Sequence, residues 1–185
     1  KINLSKLSIS GTSGTLVPCG SNGVILGNSI PYNEACTTNS QKLKLIAGED
    51  KFLNNPYSSL AKAIKLIDIF GEDIILRHQS DWISGWFLND WNYGEEGNNL
   101  KLGWNIASKS WPESFDTFSL KKSLPLIMKS GSILGKIDQS IANLLGTNEH
   151  LLLISGTTDS NAAFLAAQVK ENEGLTILGT TIVLK

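Results

Sequence analysis

The chain has 185 residues, of which 41% are hydrophobic and 18% are charged. This composition is typical of a globular domain with a buried core and excludes a disordered segment. The formal net charge is −1, so the chain lacks the basic excess that neutralises nucleic-acid phosphates, and we expect no nucleic-acid partner.

Membrane, metal and redox classes are also disfavoured. No apolar run approaches the ~18 residues that span a bilayer, and residues 1–6 lack the apolar stretch of a signal peptide. We therefore expect a cytoplasmic protein without a membrane partner. Cys19 and Cys36 show no metal-site spacing, which favours two free thiols in a reducing compartment. His78 and His150 are too scattered for a zinc site, so we predict no metal ligands.

The first third of the chain favours strands. Residues 6–10 are apolar at alternate positions, which predicts a short strand. A turn rich in hydroxyl groups follows at residues 11–15. Two apolar runs then flank Asn22-Gly23, which predicts a β-hairpin.

The middle third favours helices. Apolar residues recur at spacings of three and four over residues 57–70, which predicts an amphipathic helix ending at Gly71. A second helical pattern follows residues 74–78, with Asp81 as its candidate cap. Asn, Gly and Glu dominate residues 89–99, which we therefore interpret as a loop.

The last third alternates between the two element types. After a short helix at residues 137–145, an apolar run at 151–155 predicts a strand buried on both faces of a sheet. It breaks at residues 156–160 and enters a helix at 161–169. Another strand, residues 175–178, ends in a second glycine turn at 179–181. This mixture indicates the α/β class.

Three loops combine glycine with hydroxyl residues, at positions 11–15, 156–160 and 179–181. Such loops suit an oxyanion because glycine permits close approach and free N–H groups face outward. The alternative is that strand ends require turns and that Ser, Thr and Asp are good helix caps. Residue type alone leaves both interpretations open.

Asp159 is the sharpest single candidate. A carboxylate where a strand passes through a loop into a helix can accept a proton from a substrate hydroxyl, and in phosphoryl transfer such a base also orients the nucleophile. The same residue also fits an ordinary N-cap of the following helix.

Five tryptophans lie in the middle third, and indole faces pack well against sugar rings. Trp82 and Trp86 are four residues apart on a predicted helix, which favours core packing. Trp91, within the polar stretch, is the better candidate for an exposed stacking surface.

Taken in order, these segments resemble the FGGY family of carbohydrate kinases over nearly the whole chain. The segments that carry the resemblance are residues 9–15 (ISGTSGT), 31–35 (PYNEA), 78–82 (HQSDW), 98–104 (NNLKLGW), 156–159 (GTTD) and 178–181 (LGTT). The TSGT form, with Tyr32-Asn33 where relatives often carry Trp, is most similar to the ribulose and xylulose kinase branch.

The resemblance implies an RNase H-like (actin-like ATPase) domain with a mixed sheet and flanking helices, incomplete at its N-terminus. It implies a sugar-binding N-terminal domain at residues 1–172, lacking its first hairpin, and the start of the C-terminal nucleotide-binding domain at 173–185. The implied activity is ATP-dependent phosphorylation of a ketose such as D-ribulose or D-xylulose, with ATP and Mg²⁺ as cofactors.

The resemblance also implies roles for individual residues. Asp159 is the implied base that activates the sugar hydroxyl. Thr12, Ser13, Tyr32 and Asn33 are implied at the sugar site. Gly179, Thr180 and Thr181 are implied to contact ATP phosphates.

Departures from the family pattern lead to a further expectation. The opening Asp-x-Gly-Thr hairpin is absent, and Glu34 and Cys36 stand where Asp and Arg are usual. The chain begins without Met and stops within a β-type run, so we expect sequence beyond both ends and an inactive isolated chain. The alternatives are an actin-like ATPase or regulator that shares only the fold, and a non-catalytic carbohydrate-binding domain.

Overall fold

Helices and short strands are mixed along the chain in the computed structural model, which describes residues 4–178 and 182–185. The strands are β1 Lys6–Ser8, β2 Leu16–Cys19, β3 Ile75–His78, β4 Tyr93–Glu95, β5 Leu126–Met128, β6 Ile133–Lys136, β7 Leu152–Ile154, β8 Thr176–Leu178 and β9 Ile182–Leu184. The α-helices are α1 Ser40–Ala47, α2 Ser59–Phe70, α3 Gln79–Leu88, α4 Glu96–Asn99, α5 Ser114–Thr117, α6 Gln139–Leu145 and α7 Asp159–Ala166. Two 3₁₀ helices span Leu100–Leu102 and Lys121–Ser123.

The largest described sheet has the strand order β1-β7-β6. Strand β1 runs parallel to β7, with Leu7 opposite Leu153, and β6 runs antiparallel on the other side. Leu153 is fully buried at the centre of β7. The apolar run at residues 151–155 therefore forms the inner strand. The predicted burial on both faces is met on one face only, because Leu152 and Ile154, opposite Leu153, are half-buried.

The remaining pairs each contain two strands: β2–β3 antiparallel, β4–β5 parallel and β8–β9 antiparallel. The Asn22-Gly23 turn does form. Gly23 N donates to Gly20 O at 2.9 Å, and the backbones of Cys19 and Ile25 form an isolated antiparallel β-bridge. The regular partner of β2, however, is β3 and not the second apolar run. The predicted hairpin is thus reduced to a turn and isolated bridges.

Helix α2 organises the main core. Ser58 Oγ accepts a hydrogen bond from Ala61 N at 3.1 Å, and Gly71 ends the helix at a φ of 86°. Both capping devices are visible in the sequence. Leu60 and Ile64 are fully buried, and burying one such side chain contributes about 1.5–3 kcal/mol.

Two local predictions are corrected in the segment after β3. The N-cap of α3 is His78, not Asp81, which lies buried in the first turn and accepts a hydrogen bond from Glu95 N at 3.0 Å. The predicted loop at 89–99 contains β4 and α4. Glu95 supplies the missing signal, because its carboxylate accepts from Gly97 N and Asn98 N and so starts α4.

The cysteines behave as their spacing predicts. Cys19 and Cys36 are both buried and free of disulfides. Burial raises the pKa of the Cys19 thiol to about 11, partly offset by the charge on Arg77. Among residues 4–178 and 182–185, no helix has the length and apolar character required to cross a bilayer.

Arg77 in β3 is a buried cation solvated by backbone. Its guanidinium donates to Trp91 O, to Leu76 O at 2.7 Å and to Ser123 O at 2.9 Å. Burial lowers its pKa to about 10, so it stays charged at neutral pH. The Arg77 side chain therefore joins β3 to two segments distant in sequence.

Replacing Arg77 with methionine is expected to lower the free energy of unfolding by about 2–4 kcal/mol. The carbonyls of Trp91 and Ser123 lose their charged donor, and each buried group left unsatisfied costs about 1–3 kcal/mol. Urea unfolding with an unchanged m-value measures the loss. Lys121→Met is the control, because Lys121 forms an exposed pair with Asp116 and its removal is expected to cost no more than about 1 kcal/mol. If both variants lost the same free energy of unfolding, the stabilising role of the Arg77 hydrogen bonds would be contradicted.

Candidate functional site

Two of the glycine–hydroxyl loops meet at one edge of the main sheet. Gly11 forms a parallel bridge with Thr158, and Asp159 N donates to Gly11 O at 2.9 Å. This contact follows from the parallel pairing of β1 with β7, because the carboxyl ends of parallel strands lie on the same side. Loops that are far apart in sequence thus lie side by side, which makes them one candidate site.

Asp159 lies exposed at the point where β7 passes into α7. The N-cap of α7 is Thr158, and Asp159 is the first helical residue. Asp159 Oδ1 accepts from Ser160 N at 2.7 Å. The interpretation of Asp159 as the N-cap is therefore wrong by one position, and the carboxylate remains accessible to a ligand.

The loop at residues 11–15 connects two of the predicted sugar contacts. The hydroxyls of Thr12 and Thr15 are hydrogen-bonded at 2.7 Å, and Thr12 Oγ1 also donates to Gln79 Oε1 at 3.3 Å. Thr15 Oγ1 accepts from Tyr32 N at 3.2 Å. Thr12 and Tyr32 therefore belong to one hydrogen-bonded group with Thr15 at its centre.

Ser13 and Asn33 are placed less directly. The Ser13 carbonyl accepts a hydrogen bond from Lys101 Nζ at 3.3 Å, which fixes the loop backbone. Ser13 itself is half-buried. Gly14 follows with a φ of 99°, a conformation that favours glycine. Asn33 is exposed and joins the group through its chain neighbour Tyr32.

A buried polar group supports this loop from behind. Ser59 Oγ and His78 Nε2 are hydrogen-bonded at 3.0 Å, and both residues are fully buried. His78 Nδ1 lies 3.7 Å from Asp81 Oδ2 and has no hydrogen-bond partner among the described residues. Since none of these groups reaches solvent, they support the loop and do not act as a nucleophilic triad.

Two buried carboxylates lie beneath the site. Asp81 Oδ2 accepts from Asn99 Nδ2 at 3.2 Å, and Glu95 Oε1 accepts from Ser130 Oγ at 2.6 Å. Asn98 Nδ2 donates to Ser80 Oγ, and the Ser80 side chain packs against Gly11. Within the described part of the chain, no cluster of three or more His, Cys, Asp or Glu side chains could hold a metal ion.

A cavity of about 450 Å³ adjoins the Asp159 loop. Ser130, Ser155, Gly156, Thr157 and Asn161 supply its polar lining, with Phe164 and Leu165 on the apolar side. This volume lies within the range of ligand sites in proteins. The predicted phosphate contacts Gly179, Thr180 and Thr181 lie outside the described residues.

The tryptophans are distributed differently from the prediction. Trp91 is half-buried and not exposed: its ring packs closely against Gly85 and Gly23, and its Nε1 donates to Trp82 O at 3.1 Å. Trp104 and Trp111 instead line an open groove of about 530 Å³, together with Phe52 and Asn105. The ring centroids of the two tryptophans are 5.3 Å apart in an edge-to-face arrangement.

The residues that hold the site loop were not found from sequence. Lys101 and Gln79 hydrogen-bond to it, and Ser59, the partner of His78, lies against Gly14. Each of these residues comes from an element whose position depends on tertiary structure. The burial of Lys62 could have been suspected from the sequence, because this charged residue lies between Ala61 and Ala63 on the apolar part of the predicted helix.

No family model matches the sequence. Solved structures do share the fold. A xylulose kinase from Rhodospirillum rubrum has a TM-score of 0.82 at 18% identity over 95% of this chain and 39% of its own. A xylulose kinase from Lactobacillus acidophilus has a TM-score of 0.81 at 15% identity over 100% of this chain and 40% of its own.

A glycerol kinase from Plasmodium falciparum, solved with ADP, has a TM-score of 0.76 at 19% identity over 100% of this chain and 40% of its own. The chain therefore spans about two fifths of the length of these kinases. Its fold is that of the actin-like ATPase domain found in FGGY carbohydrate kinases, with mixed α/β structure, which confirms the predicted fold class.

Proposed function

We propose that this chain is the sugar-binding part of an ATP-dependent carbohydrate kinase that phosphorylates a ketose such as D-ribulose or D-xylulose. One observation carries the proposal. The exposed carboxylate of Asp159 belongs to a loop that is hydrogen-bonded, through Asp159 N and Gly11 O, to the hydroxyl-rich loop at 11–15. The shared fold with sugar and glycerol kinases supports the same conclusion.

In the proposed reaction, the Asp159 carboxylate accepts the proton of a sugar hydroxyl as that oxygen forms its bond to phosphorus. Thr12, Ser13, Tyr32 and Asn33 hold the sugar so that the hydroxyl faces Asp159. ATP supplies the γ-phosphoryl group and departs as ADP. The protein contributes mainly position and charge, because phosphoryl transfer requires little covalent chemistry from side chains.

We assign the sugar-binding domain to residues 1–172 and the start of a nucleotide-binding domain to 173–185. Gly179, Thr180 and Thr181 are the proposed phosphate contacts. The reaction requires Mg²⁺, but the described residues contain no three-ligand cluster, so we assign no metal ligand here. We infer that the isolated chain is inactive and that activity requires the nucleotide-binding domain.

The proposal is tested by assaying a protein that joins this chain to its nucleotide-binding domain. ADP release is measured with D-ribulose, D-xylulose, L-xylulose, sedoheptulose and glycerol as acceptors. We expect ATP turnover that depends on a ketose, and none from the isolated chain. Turnover of ATP without any acceptor would contradict the proposal and support an actin-like ATPase.

A second candidate, a non-catalytic carbohydrate-binding domain, is favoured by the groove that Trp104 and Trp111 line. Aromatic rings beside polar side chains suit a sugar ring. Calorimetry of D-ribulose binding to the isolated chain separates the two candidates. Binding that Trp104→Ala abolishes and Thr12→Val preserves would support the second candidate, and the reverse pattern would support the kinase.

A further inference from the structure

Lys62 is a fully buried lysine, and it lies on α2 within the main apolar core. Placing an ammonium in such surroundings is costly unless hydrogen bonds compensate for the lost water. No carboxylate of residues 4–178 and 182–185 forms a salt bridge with Lys62. The compensation must therefore come from neutral acceptors.

Three backbone carbonyls supply it. Lys62 Nζ donates to Gly14 O at 2.9 Å, to Tyr57 O at 3.0 Å and to Tyr32 O at 3.2 Å. An ammonium has three N–H donors, so these contacts use all of them. Because the side chain is inaccessible, Lys62 cannot touch a substrate and can act only through the segments that it holds.

Two of these segments belong to the candidate site, and the third leads into α2. Gly14 follows the proposed sugar contact Ser13, and Tyr32 is itself a proposed contact next to Asn33. Tyr57, which is 52% exposed, immediately precedes Ser58, the N-cap of α2. Lys62 is thus the common hydrogen-bonding partner of three chain segments that no regular sheet joins.

We propose that Lys62 is a positioning residue, whose ammonium fixes the 11–15 loop and the Tyr32 and Tyr57 segments in the arrangement that receives the sugar. The effect on sugar binding rests on the proposed function. The effect on the order of the three segments does not, because it can be measured without a ligand.

The surroundings of Lys62 make this arrangement sensitive to pH. Burial lowers the pKa of Lys62 to about 8, Cys36 and Glu34 act in the opposite direction, and Lys101 reinforces the decrease. The neutral amine keeps two N–H donors for three carbonyls. One of the three segments therefore loses its contact as the pH rises through about 8.

The free energy of unfolding is expected to rise over the pH range in which this contact is lost. The pKa of Lys62 is lower in the folded chain than its ordinary value of 10.5, so between about pH 8 and 10.5 the unfolded chain binds more protons. The contribution of Lys62 to the free energy of unfolding therefore rises with pH. Above about pH 8 we therefore expect the order of the three segments to fall while the stability of the chain rises.

The test measures the order parameters of the Gly14 and Tyr32 Cα–H bonds by ¹³C relaxation in the 185-residue chain. For Lys62→Met at pH 7 we expect a fall from about 0.85, the value of rigid backbone, to below about 0.6. We also expect at least a tenfold rise in the Kd for D-ribulose. Lys62→Arg keeps the positive charge and the N–H donors. Its order parameters and its Kd for D-ribulose should therefore lie between those of Lys62→Met and those of the unmodified chain.

Lys42→Met is the matched control, because the Lys42 side chain is 38% exposed and its ion pair with Asp68 also reaches α2. It should leave both quantities unchanged. A folded Lys62→Met variant with rigid Gly14 and Tyr32 overturns the proposal. If that variant does not fold, the same order parameters are measured in the unmodified chain below and above pH 8. Order parameters that rise together with stability above pH 8 overturn the proposal, and order parameters that fall support it. If the unmodified chain does not bind D-ribulose, that result contradicts the proposed function but not the proposed role of Lys62 in ordering the three segments.

Discussion

Replacing Asp159 with asparagine is expected to lower ketose phosphorylation about 10²–10⁴-fold in kcat, the contribution typical of a general base. Asparagine keeps the size and the hydrogen-bonding oxygen of the side chain but cannot accept the sugar proton. Because Asp159 is exposed and its described side-chain contact is the local one to Ser160 N, folding should be unaffected. Steady-state kinetics with D-ribulose on the protein that includes the nucleotide-binding domain measure the change.

Asp138→Asn is the matched control for this prediction. Asp138 also starts a helix, α6, and its Oδ1 accepts from Ser140 N at 2.8 Å. Like Asp159, Asp138 accepts a local backbone N–H at the start of a helix, although Asp138 is the N-cap and Asp159 is the first helical residue. Asp138 lies outside the candidate site. Equal losses of activity in the two variants would show that Asp159 serves only to start its helix.

Replacing Gly156 with alanine is expected to destabilise the chain by about 3 kcal/mol, the upper end of the usual cost of overpacking. An added Cβ would lie 1.8 Å from Ile9 O and 2.7 Å from the Ile9 carbonyl carbon, and both are backbone atoms that cannot rotate away. The ends of β1 and β7 must therefore move apart. This movement breaks the contact between Asp159 N and Gly11 O, so sugar phosphorylation should fall as well.

Gly174→Ala provides the comparison. Its added Cβ would meet Lys185 O at 3.4 Å, an ordinary contact, and we expect a change of less than about 0.5 kcal/mol. Urea unfolding of the two variants measures the difference. A Gly156→Ala variant as stable as the unmodified chain would show that the two loops are not tightly packed at this edge.

The elements that the sequence predicts correctly are those with local signals. The spacing of apolar residues in α2 and its Gly71 terminus are both encoded within the helix and its flank. The apolar run of β7 and the turn that follows it also carry their own signals. These local signals were sufficient to place Asp159 where a strand passes into a helix.

The predictions that are wrong concern segments whose structure depends on residues distant in sequence. The polar stretch around Tyr93 becomes β4 because Leu126–Met128 offers a parallel partner strand. Trp91 looks exposed by its neighbours in sequence, yet Gly85 and Gly23 leave space into which its ring packs. Neither partner is visible from the composition of the segment itself.

The sequence by itself determined the α/β class, the main helix and the strand-to-helix position of Asp159, because torsional preference and burial period are properties of short segments. Only the tertiary structure decided that Asp159 lies against Gly11 and that Lys62 gathers three carbonyls. Those contacts depend on strand pairing across more than a hundred residues and on whether a buried charge finds acceptors. Both depend on where the whole chain places its backbone.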